Sequence, residues 1–130
     1  MSQTTLVLDT NSLIYAMKQR IDLKNSEIGK LGSVMIVVPS SVIEELRTLA
    51  GHSTYAKAAY SYASGLPVIK VDSRRDDGVI EAASRTQGYV LTNDRELSRR
   101  CMDKNFGVVH IRGGKILEVK NYRAANSGSI

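Results

Sequence analysis

Five short apolar runs punctuate the chain: TLVLD (5–9), VMIVVP (34–39), PVIKVD (67–72), YVLTN (89–93) and GVVHIRG (107–113). Each is almost continuously apolar and rich in β-branched residues, the pattern of a strand covered on both faces. Helical stretches separate them. SSVIEELRTLAG has serines in front and Gly51 behind, TYAKAAYSYASG is Ala-rich and ends at Gly65, and DDGVIEAASRTQG opens on two acids and stops at Gly88. DRELSRRCMDKNFG follows the same grammar, and NSLIYAMKQRIDLKNSEIGKLG predicts two shorter helices. VVHIRG and KILEVK flank Gly113-Gly114, which predicts a closing strand pair. The alternation predicts an α/β fold: a three-layer sandwich around a mainly parallel sheet of about five strands. One domain is expected over residues 1–120, followed by a small, polar, flexible tail at 121–130.

Composition narrows the chemistry. A length of 130 residues suits one core. The single cysteine, Cys101, and two histidines, His52 and His110, argue against a disulfide framework, a Cys-rich zinc site or His-centred catalysis, and fit a reducing, cytoplasmic setting. No apolar stretch approaches the roughly 20 residues of a membrane span, and the start, MSQTT, lacks the features of a signal peptide. The net charge of +5 fits a polyanionic partner such as nucleic acid. Of the 18 lysines and arginines, 11 lie from Asp72 onward, among them Arg74, Arg75, Arg95, Arg99, Arg100 and Lys104. The same cluster also suits a solvated helix face.

The acids fall where open α/β sheets build sites, at the carboxyl ends of strands. Asp9 ends the first apolar run, Asp94 follows YVLTN, and Asp76 and Asp77 open the helix after PVIKVD. Each position also suits a helix N-cap. At about 100° per residue, Val42, Ile43, Leu46, Leu49 and Ala50 form one stripe; Glu44 lies opposite it and Glu45 at its edge. Glu44 therefore reads as solvated charge, and Glu45 as the acid that leans toward the sheet. Converging carboxylates repel one another, and a hard divalent cation with oxygen ligands, Mg²⁺ or Mn²⁺, relieves that repulsion.

In these residues the chain resembles the PIN domains, a family of Mg²⁺/Mn²⁺-dependent ribonucleases, over about residues 6–112. The resemblance is carried by LDTNSLI, VPSSVIEEL, DDGVIEAASRTQG and LTNDREL, in that order. It implies that Asp9, Glu45, Asp77 and Asp94 bind the metal and carry catalysis. Asn11, Thr92 and Asn93 would orient the carboxylates or the attacking water. Family spacing favours Asp77 as the third acid, while helical phase sets Asp76 nearer the Val79, Ile80 and Ala83 stripe; Asp76 stands beside it as the alternative ligand. Arg74, Arg75, Arg95 and Arg99 would hold RNA. Within the family the chain is most similar to stand-alone archaeal PIN proteins related to nucleases of small-subunit rRNA processing. A ribosome-assembly partner, an antitoxin of the family's toxin branch and a homodimer are the implied partners. The implied reaction is hydrolysis by a metal-activated water, leaving 5′-phosphate and 3′-hydroxyl ends.

Other readings fit less well. Haloacid-dehalogenase-type phosphatases place a second aspartate two residues after the first, where this chain has Asn11. Receiver domains carry paired acids near the first strand and a lysine after the fifth, where this chain has one acid and Arg112. Some PIN domains lose acids and serve only as RNA- or protein-binding adaptors; the presence of all four acids argues against that here, although a metal site can persist as a structural feature without turnover. Tyr55, Tyr60 and Tyr62 suit packing on an Ala-rich helix better than base stacking.

Overall fold

A strand buried on both faces must sit inside the sheet, and β1 (Thr4–Leu8) does: Leu6, Val7 and Leu8 are all fully buried although successive side chains point to opposite faces. The computed structural model describes residues 4–25, 34–112 and 116–120. β2 (Val34–Pro39) pairs with one side of β1 and β4 (Tyr89–Leu91) with the other, both parallel. β3 (Val68–Ile69) extends the β2 side, and β5 (Val108–Arg112) extends the β4 side. β6 (Ile116–Lys120) closes the β5 edge antiparallel. The order is β3-β2-β1-β4-β5-β6. This is the expected α/β architecture with a mainly parallel sheet, here of six strands once the predicted final pair is included. The Gly113-Gly114 turn and the tail at 121–130 lie outside the described residues.

Five α-helices connect the strands: α1 (Thr10–Lys18), α2 (Ser40–Leu49), α3 (Thr54–Ser64), α4 (Arg75–Thr86) and α5 (Arg95–Asp103). α1, α2 and α3 pack together, α4 packs on α2 and on β1, β2 and β4, and α5 packs on β5. The second helix expected before β2 is represented by a 3₁₀ turn, Leu23–Asn25; residues 26–33 lie outside the description.

Two predicted strands end early, for the same reason. PVIKVD pairs with β2 only at Val68 and Ile69. Beyond them, side chains take over the backbone: Val71 N–H donates to Ser40 Oγ at 2.9 Å, and Arg85 donates to the Lys70 carbonyl. YVLTN leaves the ladder after Leu91 because Asn93 replaces it with a side-chain bridge. Its Oδ1 accepts from Ile111 N–H at 2.8 Å, and its Nδ2 donates to the Ile111 carbonyl at 3.1 Å.

The chain runs β1→β2→β3 in one direction, then returns to β4 on the far side of β1. The strand order therefore reverses between β1 and β4, and at such a switch point the two connections diverge and leave a crevice at the carboxyl ends. A second device narrows it. Gly78 of α4 lies so close to α2 that a Cβ there would fall 2.3 Å from Ser41 Oγ and 2.8 Å from the Ser73 carbonyl. Only a residue without a side chain allows this approach. It brings the acidic first turn of α4 beside the helix that carries Glu45.

Candidate active site

The crevice at the switch point is a cleft of about 540 Å³, lined by Asp9, Thr10, Asn11, Glu45, Arg74, Arg75, Asp76, Asp77, Val79 and Arg100. Its floor is Asp9, only 7% exposed. Asp9 occupies the N-cap position of α1, yet its side chain makes no cap hydrogen bond. Its Oδ2 instead accepts from the hydroxyl of fully buried Thr92, across the switch point, at 2.8 Å. That hydroxyl in turn accepts from the Asp94 N–H at 3.0 Å. Thr92 thus ties the ends of β1 and β4 together through one oxygen.

The other acids are held with similar economy. Glu45, half-buried, accepts from Thr10 Oγ1 at 2.7 Å through Oε1, whereas Glu44 is exposed, as helical phase predicted. Asp94 caps α5: its Oδ1 accepts from Leu97 N–H at 2.8 Å. In all three, a neutral donor fixes one named oxygen, Oδ2 of Asp9, Oε1 of Glu45 and Oδ1 of Asp94, and so sets the plane of the carboxylate without adding positive charge.

Asp76 and Asp77, the two candidates for the third acid, both line the cleft but stand in different surroundings. Asp77 is exposed, and its Oδ1 accepts from Arg100 Nη2 at 2.6 Å. Asp76 is half-buried and feels the other acids of the site. Partial burial raises its pKa, and the Asp94 carboxylate raises it further; Arg100 opposes this, while Asp77 and Glu45 add to it. Asp9 is pushed up to about 6, first by burial and then by Asp76 and Asp94, against the lowering effect of the Thr92 hydroxyl. Burial first, and neighbouring carboxylates second, disfavour the charged forms of Asp9 and Asp76, and a cation placed beside them would offset both effects.

Several expected residues lie elsewhere in the site or outside it. Asn11 lines the cleft and is exposed. Asn93 spends its amide on Ile111, and its backbone N–H donates to Ser12 Oγ at 3.0 Å, so it locks β4 to β5 and to α1 rather than orienting a carboxylate. Arg74 and Arg75 line the cleft; Arg95 and Arg99 do not. The Arg99 guanidinium is closed by Glu96 at 2.6 Å and Asp103 at 2.9 Å on its own helix. Three contributors had no assigned role in the sequence. Thr10 holds Glu45, Ser12 holds the Asn93 backbone, and Arg100 reaches from α5 to α4. Their partners lie on other elements, so no local pattern marked them; only the adjacency of Thr10 to Asp9 and the place of Arg100 in the basic cluster were legible. Cys101 is buried, and desolvation pushes its thiol up to about 12, which leaves it without nucleophilic character.

The donor set is all oxygen, as a hard divalent cation requires. Among the described residues no group of three or more acidic, histidine or cysteine side chains is drawn close enough to hold a metal ion. Mg²⁺ and Mn²⁺ keep several waters when bound, so one or two carboxylates suffice to anchor them. The residues present fit such an ion better than zinc or a soft metal.

Fold and site together define a class: an acid-floored crevice at the switch point of a small parallel α/β sheet, rimmed by arginines. The sequence profile of the PIN-like domain family matches residues 6–114, and the chain belongs to that family. It is 26% identical over 114 residues to Ribonuclease VapC9 of Archaeoglobus fulgidus, covering 84% of each. It is 28% identical over 125 residues to Ribonuclease VapC4 of Methanocaldococcus jannaschii, covering 88% of this chain and 95% of the relative. The PIN domain endonuclease Utp24 shares the fold, with a TM-score of 0.75 over 90% of this chain and 91% of that one at 18% identity. VapBC2 from Rickettsia felis, solved bound to a DNA fragment from its promoter, has a TM-score of 0.55 over 74% of this chain and 92% of the other at 19% identity.

Proposed function

We propose that the protein is a divalent-metal-dependent endoribonuclease that hydrolyses RNA phosphodiesters at the β1–β4 crevice. The observation that carries the proposal is Asp9, a carboxylate buried at the switch point beside Asp76 and Asp94, with no basic side chain hydrogen-bonded to it among the described residues. The proposed donors are Asp9, Glu45, Asp76 and Asp94, with Asp77 as the alternative to Asp76. A bound Mg²⁺ or Mn²⁺ supplies charge neutralisation and Lewis-acid activation there. Thr92 and Thr10 hold Asp9 and Glu45 in fixed planes, so little reorganisation is needed when substrate arrives. Arg74 and Arg75 hold the RNA backbone at the rim, and Arg100 offsets part of the negative charge near Asp76. Attack of water on phosphorus with departure of the 3′ oxygen gives 5′-phosphate and 3′-hydroxyl ends. Product ends therefore test the proposal. Products accepted directly by a ligase that requires both ends support it, and 2′,3′-cyclic phosphates, which need attack by the 2′-hydroxyl, contradict it.

On this reading residues 1–120 form the catalytic domain of a cytoplasmic enzyme acting in RNA turnover or rRNA processing, working as a homodimer. A second reading, a toxin-branch ribonuclease held by an antitoxin, is favoured by the two curated relatives, both named Ribonuclease VapC. Co-expression with the product of the neighbouring reading frame separates the two. Suppression of cleavage by a bound partner supports the toxin branch, and unaltered cleavage supports the stand-alone enzyme.

A further inference from the structure

Beside the acid crevice lies a second cleft of about 520 Å³, between α2 and the start of α4. Ser41, Glu44, Thr48 and Leu49 form its α2 wall, and Glu45, Arg74 and Arg75 line both clefts, so the two meet at the arginine shoulder. Among the described residues neither Arg74 nor Arg75 has an ion-pair partner, whereas Arg85, Arg99 and Arg100 all do. Arg75 also has φ 51°, a left-handed conformation that strains an L residue with a full side chain. Strain of this kind persists only where the surroundings impose it, and it concentrates at ligand clamps. On α5, Arg100 lines the acid crevice but is held by Asp77, Arg99 is closed on its own helix, and Arg95, also without an ion-pair partner among the described residues, lines neither cleft.

The charges of the second cleft are also ordered. Glu44 and Glu45 repel phosphate from the α2 wall, while Arg74 and Arg75 attract it to the opposite shoulder. Thr48, whose hydroxyl donates to the Glu44 carbonyl and so faces the cleft as an acceptor, and Leu49, with an apolar side chain, stand where a sugar and a base would face α2.

Building on the ribonuclease reading, we propose that the RNA strand leaves the acid site over the Arg74–Arg75 shoulder and enters the α2 cleft. The two guanidiniums bind the backbone phosphate next to the scissile one, and the following nucleotide lies along Thr48 and Leu49. The strand's path is thereby polar, with α2 on one side of the cut and not α5.

The test is equilibrium binding of a fluorescent single-stranded oligoribonucleotide in EDTA across a salt series, with cleavage in Mn²⁺ measured separately. Arg75→Gly removes the guanidinium and relieves the backbone, so it should weaken binding about tenfold and lower the salt slope by about one, without lowering the melting temperature. Arg74→Ala should behave alike, and Arg95→Ala with Arg99→Ala should weaken binding less than Arg75→Gly alone. Photo-cross-links from a 4-thiouridine beside the cleavage site should fall in the tryptic segment that begins at Thr48. If wild type cuts and binds RNA while the shoulder variants bind as tightly as wild type, the path is wrong and the ribonuclease reading stands. Equal or greater loss in the α5 pair overturns the path in the same way. Shoulder variants that release a bound protein partner and keep RNA affinity would assign the cleft to that partner instead. Wild type that neither binds nor cuts RNA overturns both readings.

Discussion

Replacing Asp9 with Asn should stabilise the metal-free fold while abolishing its chemistry. Asp9 is 7% exposed, and its pKa rises from 3.8 to about 6 on folding, chiefly through burial. At about 1.4 kcal/mol per tenfold change in proton affinity, ionising Asp9 in the fold costs about 3 kcal/mol. The sign follows from linkage. The folded carboxyl binds protons more tightly than the unfolded one, so its contribution is most favourable below about pH 4. That contribution is lost as pH rises through about 6, then stays flat. Asn carries no charge at any of these pH values, and its Oδ1 can still accept from the Thr92 hydroxyl. The stability difference, Asp9→Asn minus wild type, should therefore grow by about 2.5 kcal/mol between pH 4 and pH 7.5. Urea unfolding in EDTA across that range measures it, and EDTA keeps stray divalent ions from masking the repulsion. A difference that does not change with pH, or that shrinks as pH rises, would refute the claim that Asp9 is a desolvated acid among like charges.

Further outcomes follow from the same contacts. Thr92→Val removes the hydroxyl from Asp9 and orphans the Asp94 N–H, so it should cost about 1.5–3 kcal/mol above pH 7. It should also raise the Asp9 pKa further, read as a shift of the acid limb of the pH–rate profile to higher pH. Gly78→Ala would drive a methyl into Ser41 and the Ser73 carbonyl. It should destabilise by about 1–3 kcal/mol in thermal or urea unfolding and reduce cleavage by parting α4 from α2. Asp76→Asn should lower Mn²⁺ affinity, measured by calorimetry, far more than Asp77→Asn, because Asp77 is engaged by Arg100. Mn²⁺ affinity of wild type should rise with pH up to about 6 and then level, since the ion must displace the Asp9 proton.

The apolar runs made the sheet legible because a strand buried on both faces, such as Leu6-Val7-Leu8, has no polar position to disguise it. The sequence could not show where ladders stop when distant side chains take over, as Ser40 and Arg85 do after β3 and Asn93 does after β4. The site was legible to the extent that strand ends are. Asp9 and Asp94 are brought to the switch point, and helical phase separated Glu45 from Glu44. Asp76 and Asp77 differ by one step on a helix, and only the position of α5, with Arg100 reaching across to Asp77, distinguishes them. Basic residues were the least legible, since a count of arginines cannot tell Arg75, at the cleft and without an ion-pair partner among the described residues, from Arg99, neutralised on its own helix.

The central claim is that these acids hold a divalent ion that cleaves RNA. Its most direct test is cleavage of an end-labelled single-stranded RNA by wild type and Asp9→Asn, purified side by side, in Mn²⁺, Mg²⁺ and EDTA. The account predicts cutting by wild type only with metal, and none by Asp9→Asn under any condition. Cutting that survives EDTA, or that persists in the Asp9→Asn preparation, would contradict it.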